Sequence, residues 1–588
     1  VVLARFDDLT GGQASFRLAE PIGVLAATRP SEVPEVVAAA EAAAARGAWV
    51  AGFLAYEAAP GFDATLRVRT PAPDDPFAAL PLAWFAIFAR REETVLPEPS
   101  SAAAPALLAW RATVGRERYE AAVAAIRERI AAGDTYQVNH TIRLRARLAG
   151  DPRGLYRDLC YAQRCAYAAY LDTGAFRICS ASPELFFRID GPTITTRPMK
   201  GTAPRGRLLA EDERVRARLT TSVKDRAENA MIVDLLRNDL GRIARPGSVR
   251  WNDVFEPERY ETVWQLTSTV AADLEPGTDL VAVMRALFPS GSVTGAPKAS
   301  TMGIIAELED APRGVYCGAV GYLAPPDAGD PRARFSVAIR TVVIEAATGI
   351  AEYGVGGGIT WDSRAESEYE EIVAKARVLV ARRPAFELLE TVRHDPGVGF
   401  RHLERHLRRL RDSAGYFGYV FERERVVEAM ERAVRRVPDR PARVRVLLDR
   451  RGRVRTGIAP LAQAPGPVRL AIDRDHPVDP RDELLYHKTS LRGRYDEARG
   501  RHPDADDVVL VNVHGEVTET TIGNLVVRLD GRWWTPPLDA GLLPGIERAA
   551  LLDAGRIAER PITLAELEDA EALAVINSVR GWRDARLG

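Results

Sequence analysis

The chain has 588 residues, with 80 Lys+Arg against 81 Asp+Glu and a formal net charge of -1. That balance excludes a general electrostatic grip on nucleic acid or on an acidic membrane. The longest strongly apolar stretch, Pro81 to Ala89, is too short to span a bilayer. The hydrophobic fraction of 46% is enough for sizeable cores, and at roughly 100–200 residues per domain the length predicts three or four average domains or two large ones. The opening VVLARFDD has no signal-peptide pattern, and four cysteines in so long a chain make neither a disulfide framework nor a zinc knuckle. The expectation is a reduced, cytoplasmic, soluble enzyme.

In chain order, residues 1–110 read as alternating strands and helices. Ser31 to Ala45 is an Ala-rich helix, and Leu96 to Pro105 is a Pro/Ser/Ala loop. Arg118 to Ala132 has Val123, Ile126 and Ile130 on one helical face and Gly133 at its end. A helix follows Lys224, with apolar Met231, Ile232, Leu235 and Leu236. Pro325 to Pro331 is a long hairpin loop between strands around Gly321 and Val337. Arg382, Arg383 and Pro384 break a helical run, and seven of the eight histidines lie beyond it. The domain boundary is placed there. Strands and helices mix without a regular βαβ rhythm, so the fold class is α+β.

Only five of the 80 basic residues are lysines: Lys200, Lys224, Lys298, Lys375 and Lys488. Arg cannot become a neutral nucleophile, whereas a buried Lys can. The lysines are therefore candidates for amine chemistry, against the plain reading that some are accidents of an Arg-rich composition.

Four segments of the first region are dense enough to carry chemistry. Gly133 to Asn139 includes Gln137 and otherwise reads as a helix-to-strand turn. Ser182-Pro183-Glu184 and Pro198-Met199-Lys200-Gly201-Thr202 set a carboxylate and a lysine across a hairpin, a spacing that a surface pair also satisfies. Glu228 begins the buried face of the helix after Lys224, where a carboxylate must be paired or bound to a cation. Gly354-Val355-Gly356-Gly357-Gly358 precedes a helix carrying Glu368, Glu371 and Lys375 on one stripe. Periodicity alone reads that stripe as a solvated ion pair, but adjacent glycines let backbone N–H groups approach an anion.

Together, KDRAEN…MIVDLLRND, FPSGSVTGAPK, GYL…IRT and GGGI…EYEE…KA resemble the chorismate-utilising family of anthranilate, aminodeoxychorismate and isochorismate synthases. The resemblance is strong over about 110–382 and weaker over 1–110. It implies a large α+β sandwich, with residues 1–110 as its N-terminal part and 111–382 as the catalytic core. It implies Mg²⁺ held by Glu228 and Glu371 with Glu368 close by, and chorismate held by Arg340, Lys375 and the N–H groups near Gly356 and Gly358. Thr294 and Tyr322 would line the pocket. Gln137 stands where water-adding members have a lysine base, which favours ammonia. Lys200 stands where anthranilate synthases have alanine, and so resembles aminodeoxychorismate synthase. Lys200 would attack the ring while Glu184 protonates the leaving hydroxyl. Gln265 departs from the family, where many relatives have His. No glutaminase is visible, so ammonia would come from solution or from a separate glutamine amidotransferase subunit.

Beyond a linker at 383–386, residues 387–588 carry Lys488 in LYHKTS, with FRHLERHLRRLRDSA, ETTIGN and GLLPGIER in that order. This set resembles the fold-type-IV pyridoxal-phosphate family, a two-subdomain α/β unit that includes aminotransferases and aminodeoxychorismate lyase. Lys488 would bond to the cofactor aldehyde, and Glu519 would face the pyridine nitrogen. Arg409, Gly545, Ile546 and Ser578 would hold the phosphate, with Asn524 in support. Most other arginines of the 400–414 stretch read as a charged surface. Glu547 stands where relatives often have Thr. A homodimer through this region is implied.

The combined expectation is synthesis of aminodeoxychorismate followed by its cleavage to 4-aminobenzoate and pyruvate, for folate. The alternatives are an anthranilate-type synthase joined to a branched-chain or D-amino-acid aminotransferase, and a catalytically silent module regulating an amidotransferase. Lys200 argues against the first. The intact set of Lys200, Glu184, Glu228, Glu371 and Lys488 argues against the second.

Overall fold

A computed structural model describes residues 2–99, 106–107, 110–379, 385–436, 439–461 and 466–588. The expected break at Arg382, Arg383 and Pro384 lies outside the described residues, as do residues 100–105 of the expected loop. The chain packs as two units, one of Val1–Pro204 and Arg216–Ala385, the other of Arg205–Val215 and Phe386–Gly588. Both are α+β.

In the first unit the described strands pair antiparallel. The glycine-rich strand Ile350–Ile359 lies along Gln137–Ala149, with Gly356 opposite Thr141 and Gly358 opposite Asn139. Met199–Pro204 lies along Val263–Asp273, with a bulge between Met199 and Thr202. Gly201 sits at that bulge with φ +88°, which a residue with Cβ adopts only under strain. The expected hairpin around 325–331 joins Ala319–Leu323 to Ala333–Val337.

The helices follow their apolar spacing. Arg116–Ala131 buries Val123 and Ile126, with Ile130 packed partly against them, and Gly133 turns the chain at φ +81°. Val223–Gly241 starts where the Ser222 hydroxyl accepts the Asp225 N–H at 3.3 Å, and it buries Ile232 and Leu236. Strand parity divides Ala319–Leu323 between two cores: Ala319 and Leu323 enter one, Val320 and Tyr322 the other.

The second unit holds two sheets. Leu388–Asp395, Gly399–Phe400, Ala442–Leu448 and Val454–Pro460 pair antiparallel. The helix Leu403–Phe417 buries Leu407, Leu410 and Ala414 in one core with Val392, Val444 and Val446. In the other, mixed sheet, Val468–Val478 runs parallel to Asp507–Asn512 and Gly581–Leu587. Among the described residues no helix is long and apolar enough to cross a membrane.

Candidate active sites

In the first unit one polar cavity of about 240 Å³ draws its lining from distant segments. Glu184, Lys200, Glu228, Arg340, Gly356, Gly358, Glu368, Glu371 and Lys375 all line it.

Glu184 sits between the strands Phe176–Ser182 and Leu185–Asp190 and is 3% exposed. The Ser292 hydroxyl donates to its Oε1 at 2.6 Å. Burial pushes this carboxyl up to about 7, although Ser292 and Lys200 pull the other way. It therefore exchanges its proton near neutral pH. Lys200 is affected in the opposite sense: burial lowers its amine below the usual range, against the pull of Glu228, Glu371 and Glu184. The Lys200 carbonyl is held by the Asn229 amide at 3.3 Å, and Asn229 in turn accepts the Ser268 hydroxyl at 2.5 Å.

The glycines are required by space. A Cβ on Gly358 would lie 2.2 Å from Gln137 Nε2 and 2.5 Å from Lys200 Nζ. Gln137 is thus beside the amine, and its Oε1 is buried without a hydrogen-bond partner. A Cβ on Gly356 would lie 2.2 Å from the His140 carbonyl. The Gly356 carbonyl accepts from Lys375 Nζ at 2.8 Å, and Arg340 donates to the Lys375 carbonyl.

The acids share one wall. Lys375 Nζ lies 2.5 Å from Glu371 Oε1. Burial raises Glu371, but Lys375, with Lys200 and Arg340, outweighs it and the net shift is downward. Burial raises Glu368 and Glu228, with partial opposition from Ser363 and from Lys200, respectively. Among the described residues no group of three or more His, Cys, Asp or Glu is placed to hold a metal ion by itself. Lys375 engages Glu371 Oε1 and the Ser363 hydroxyl engages Glu368 Oε1, but the other oxygens of these acids and of Glu228 are hard ligands of the kind Mg²⁺ takes, and Mg²⁺ is commonly held by one or two carboxylates and completed by substrate and water.

Three expected residues, Gln137, Tyr322 and Thr294, fall outside the cavity lining. Tyr322 packs its ring 5.1 Å from Phe6 and 5.2 Å from Phe16, because its place on the strand turns it to the other core. Thr294 is fully buried and donates to the Ser290 carbonyl at 3.0 Å, bracing the loop that presents Ser292. Ser292, Asn139 and Gln265 do line the cavity. Gln265 Nε2 donates to Thr202 at 3.3 Å.

In the second unit Lys488 follows the short helical turn Glu483–Leu485, and its carbonyl accepts the Leu389 N–H at 2.8 Å. Burial, with Arg409 adding to it, lowers its amine to about 8. Glu519 is 4% exposed and accepts the Tyr495 hydroxyl at 2.9 Å, with Asn524 Nδ2 at 3.4 Å from its other oxygen. Burial raises Glu519 to about 7. Gly545 caps the helix Ile546–Asp553, and a Cβ there would lie 1.8 Å from Asn524 Oδ1.

Arg409 turns inward from its charged helix. It forks Glu390 with two hydrogen bonds of 2.8 Å and donates to the Pro544 carbonyl at 3.0 Å, beside Gly545. Burial raises Glu390, yet Arg409 and His406 hold it far below the carboxylate range. Ser578 is buried, and Glu547 is paired with Arg401 at 2.9 Å. A near-neutral amine, a buried acid and a helix start with no room for a Cβ fit pyridoxal phosphate.

The family described as chorismate binding enzyme matches residues 10–381, and class IV amino-transferase matches 387–587. Over 286 residues the chain is 44% identical to an aminodeoxychorismate synthase of Streptomyces griseus, covering 48% of this chain and 38% of that one. Over 271 residues it is 41% identical to anthranilate synthase component 1 of Aquifex aeolicus, covering 46% and 54%. The chain thus spans about half or less of each relative. The crystal structure of anthranilate synthase component I from Streptococcus pneumoniae superposes with a TM-score of 0.54 at 25% identity, covering 63% of this chain and 93% of that one. The first of the two family matches takes in more than half of the sequence, and on it the chain belongs to the chorismate-binding enzymes, with a class IV amino-transferase segment following.

Proposed function

We propose that the first unit converts chorismate and ammonia to 4-amino-4-deoxychorismate, and that the second removes pyruvate from that product to leave 4-aminobenzoate. Relatives of both para- and ortho-aminating names match at similar identity, so the choice between products rests on the site. The observation that carries it is a lysine with a lowered pKa and a carboxylic acid with a raised one lining the same cavity.

Neutral Lys200 attacks C2 of the ring. Both ring double bonds shift, and the C4 hydroxyl leaves as water with the proton of Glu184. Ammonia then adds at C4, both double bonds shift back, the C2–N bond to Lys200 breaks, and the proton lost by the added ammonia returns to Glu184. Gln137, beside Lys200, leaves no lysine base at that position to activate water. Glu228 and Glu371, with Glu368 near, would hold Mg²⁺, which supplies charge neutralisation for a substrate carboxylate. Arg340 and Lys375 provide further positive charge.

In the second unit Lys488, Arg409, Glu519, Asn524, Gly545, Ile546 and Ser578 would hold pyridoxal phosphate, which supplies an electron sink when bound. Released Lys488 takes the proton from the carbon bearing the amine, and pyruvate departs from the neighbouring carbon as the ring becomes aromatic.

All four cysteines are buried and free. Burial pushes Cys165 up to about 12 and Cys317 to about 11, so neither is an activated thiolate. Ammonia from a separate glutamine amidotransferase and a cytoplasmic setting belong to the same reading. The reading includes a homodimer through 387–588, which sedimentation tests. Product analysis with chorismate, Mg²⁺, ammonium and pyridoxal phosphate tests the whole. Formation of 4-aminobenzoate and pyruvate supports it, and 2-aminobenzoate contradicts it.

A further inference from the structure

The second unit contains a piece of chain from far upstream. Arg205–Val215 packs with Phe386–Gly588, although it directly follows the strand Met199–Pro204 that carries Lys200. We infer that Arg205–Asp212 is a strap that positions Lys488. This rests on the reading above that Lys488 holds pyridoxal phosphate.

The strap is held at both ends of its turn. Arg205 Nε donates to Asp212 at 2.7 Å, its Nη2 donates to the Tyr416 carbonyl at 2.8 Å, and its guanidinium stacks 4.3 Å from the Tyr416 ring. Tyr416 returns a hydrogen bond of 2.7 Å from its hydroxyl to the Gly206 carbonyl. Asp212 is 2% exposed and also accepts the Gly206 N–H at 3.0 Å. A Cβ on Gly206 would lie 2.4 Å from the Asp212 nitrogen, so the turn admits only glycine. Leu208 packs against the small core that includes Leu485 and Tyr486, the residues leading to the lysine.

The decisive contact is with His487, the residue before Lys488. His487 Nε2 lies 3.0 Å from the Arg207 carbonyl, and Nδ1 lies 2.9 Å from the Ser413 hydroxyl. Burial lowers the ring to about 4 and keeps it neutral; a carbonyl only accepts, so Nε2 carries the one hydrogen and Nδ1 accepts from Ser413. The ring is 5% exposed and wedged 4.5 Å from Tyr416 and 4.7 Å from Phe417. The strap thus fixes the tautomer and the plane of the histidine whose backbone leads directly to the amine. Lys488 is fixed on its other side by the Leu389 N–H. Loosening the strap frees one end of this short turn and lets the amine wander from the cofactor aldehyde.

The test uses the full chain. Tyr416→Phe removes the hydroxyl to Gly206 and keeps the ring; Arg205→Ala with Asp212→Ala removes the buried ion pair without leaving either charge unpaired. Amide exchange over 205–212 reports whether the strap has loosened. Titration of apoprotein with pyridoxal phosphate gives its affinity, and the visible band of the bound cofactor, followed against pH, gives the midpoint set by the lysine. The expected result is faster exchange and affinity about tenfold weaker, the equivalent of one hydrogen bond lost to a buried group, together with a shifted midpoint. His487→Gln, which can still donate to the Arg207 carbonyl, should regain part of the affinity lost in His487→Ala. Loosened exchange with unchanged affinity and midpoint overturns the strap. If the double variant does not fold, Tyr416→Phe alone decides by the same readouts. Failure of the wild-type protein to bind pyridoxal phosphate instead overturns the underlying reading.

Discussion

Glu184 and Lys200 face one cavity, and burial moves them in opposite directions, the carboxyl up to about 7 and the amine down. An acid that keeps its proton and an amine that gives one up are what a covalent displacement of a hydroxyl requires.

Lys200→Ala should abolish 4-amino-4-deoxychorismate formation. Lys200→Arg should not restore it, because a guanidinium stays charged. Gly358→Ala should also fail while the fold persists, since its methyl would lie 2.5 Å from Lys200 Nζ and 2.2 Å from Gln137 Nε2. Chromatography of products and circular dichroism check both. A Gly358→Ala enzyme with full activity would show that the amine has room to spare.

The pH profile of kcat/KM should be bell-shaped. Glu184, raised by burial to about 7, must hold its proton, and this limits activity on the alkaline side. Lys200 must be neutral, so activity also falls as pH drops. Glu184→Gln should remove the alkaline limb and lower the rate roughly 10²–10⁴-fold. An unchanged alkaline limb in that variant would assign the acid elsewhere.

Lys488→Ala should lose the visible absorbance of protein loaded with pyridoxal phosphate and should accumulate 4-amino-4-deoxychorismate. Glu519→Ala should keep the lysine-bound cofactor but slow pyruvate release. Normal pyruvate release from either variant would move the chemistry to other residues.

Acid stability should depend on Glu309. It is 4% exposed, and Arg313 Nη2 donates to it at 2.6 Å. Burial raises its pKa, but Arg313 and Arg143 hold it down at about 2. A folded pKa below the unfolded value stabilises at pH above the usual glutamate value near 4.5, and that stability is lost as pH falls toward 2. Glu309→Gln should cost about 3–5 kcal/mol near neutral pH by stranding buried arginines, and its penalty should shrink in acid. Thermal melts at both pH values check this; equal penalties would contradict it.

Much of the first site was legible because its residues lie in dense segments that are short in sequence: Glu184, Lys200, Glu228, Glu371 and Lys375 all line one cavity. Their supports were not legible. Ser292, 108 positions from Glu184, and Asn229, which holds the Lys200 carbonyl, meet their partners only through tertiary packing. Tyr322 was misplaced because a motif gives a residue's position in a strand but not which core its parity serves. Glu390 has no local pattern at all; it is known by the Arg409 fork. The helix starting at Leu403 was legible as charged, yet only the fold turns Arg409 inward and leaves Arg405 half-buried and Arg411 exposed. Arg205–Val215 was equally hidden, because nothing in its composition says with which unit it packs.

The account depends most on a bond between the Lys200 nitrogen and ring carbon. Incubating the full chain with chorismate and Mg²⁺ but without ammonia, followed by peptide mass spectrometry, tests it directly. The predicted result is an adduct of chorismate less one water on the peptide containing Lys200, discharged by added ammonium to the para amine and absent in Lys200→Ala. An unmodified peptide, together with para amine formation that survives Lys200→Ala, would contradict it.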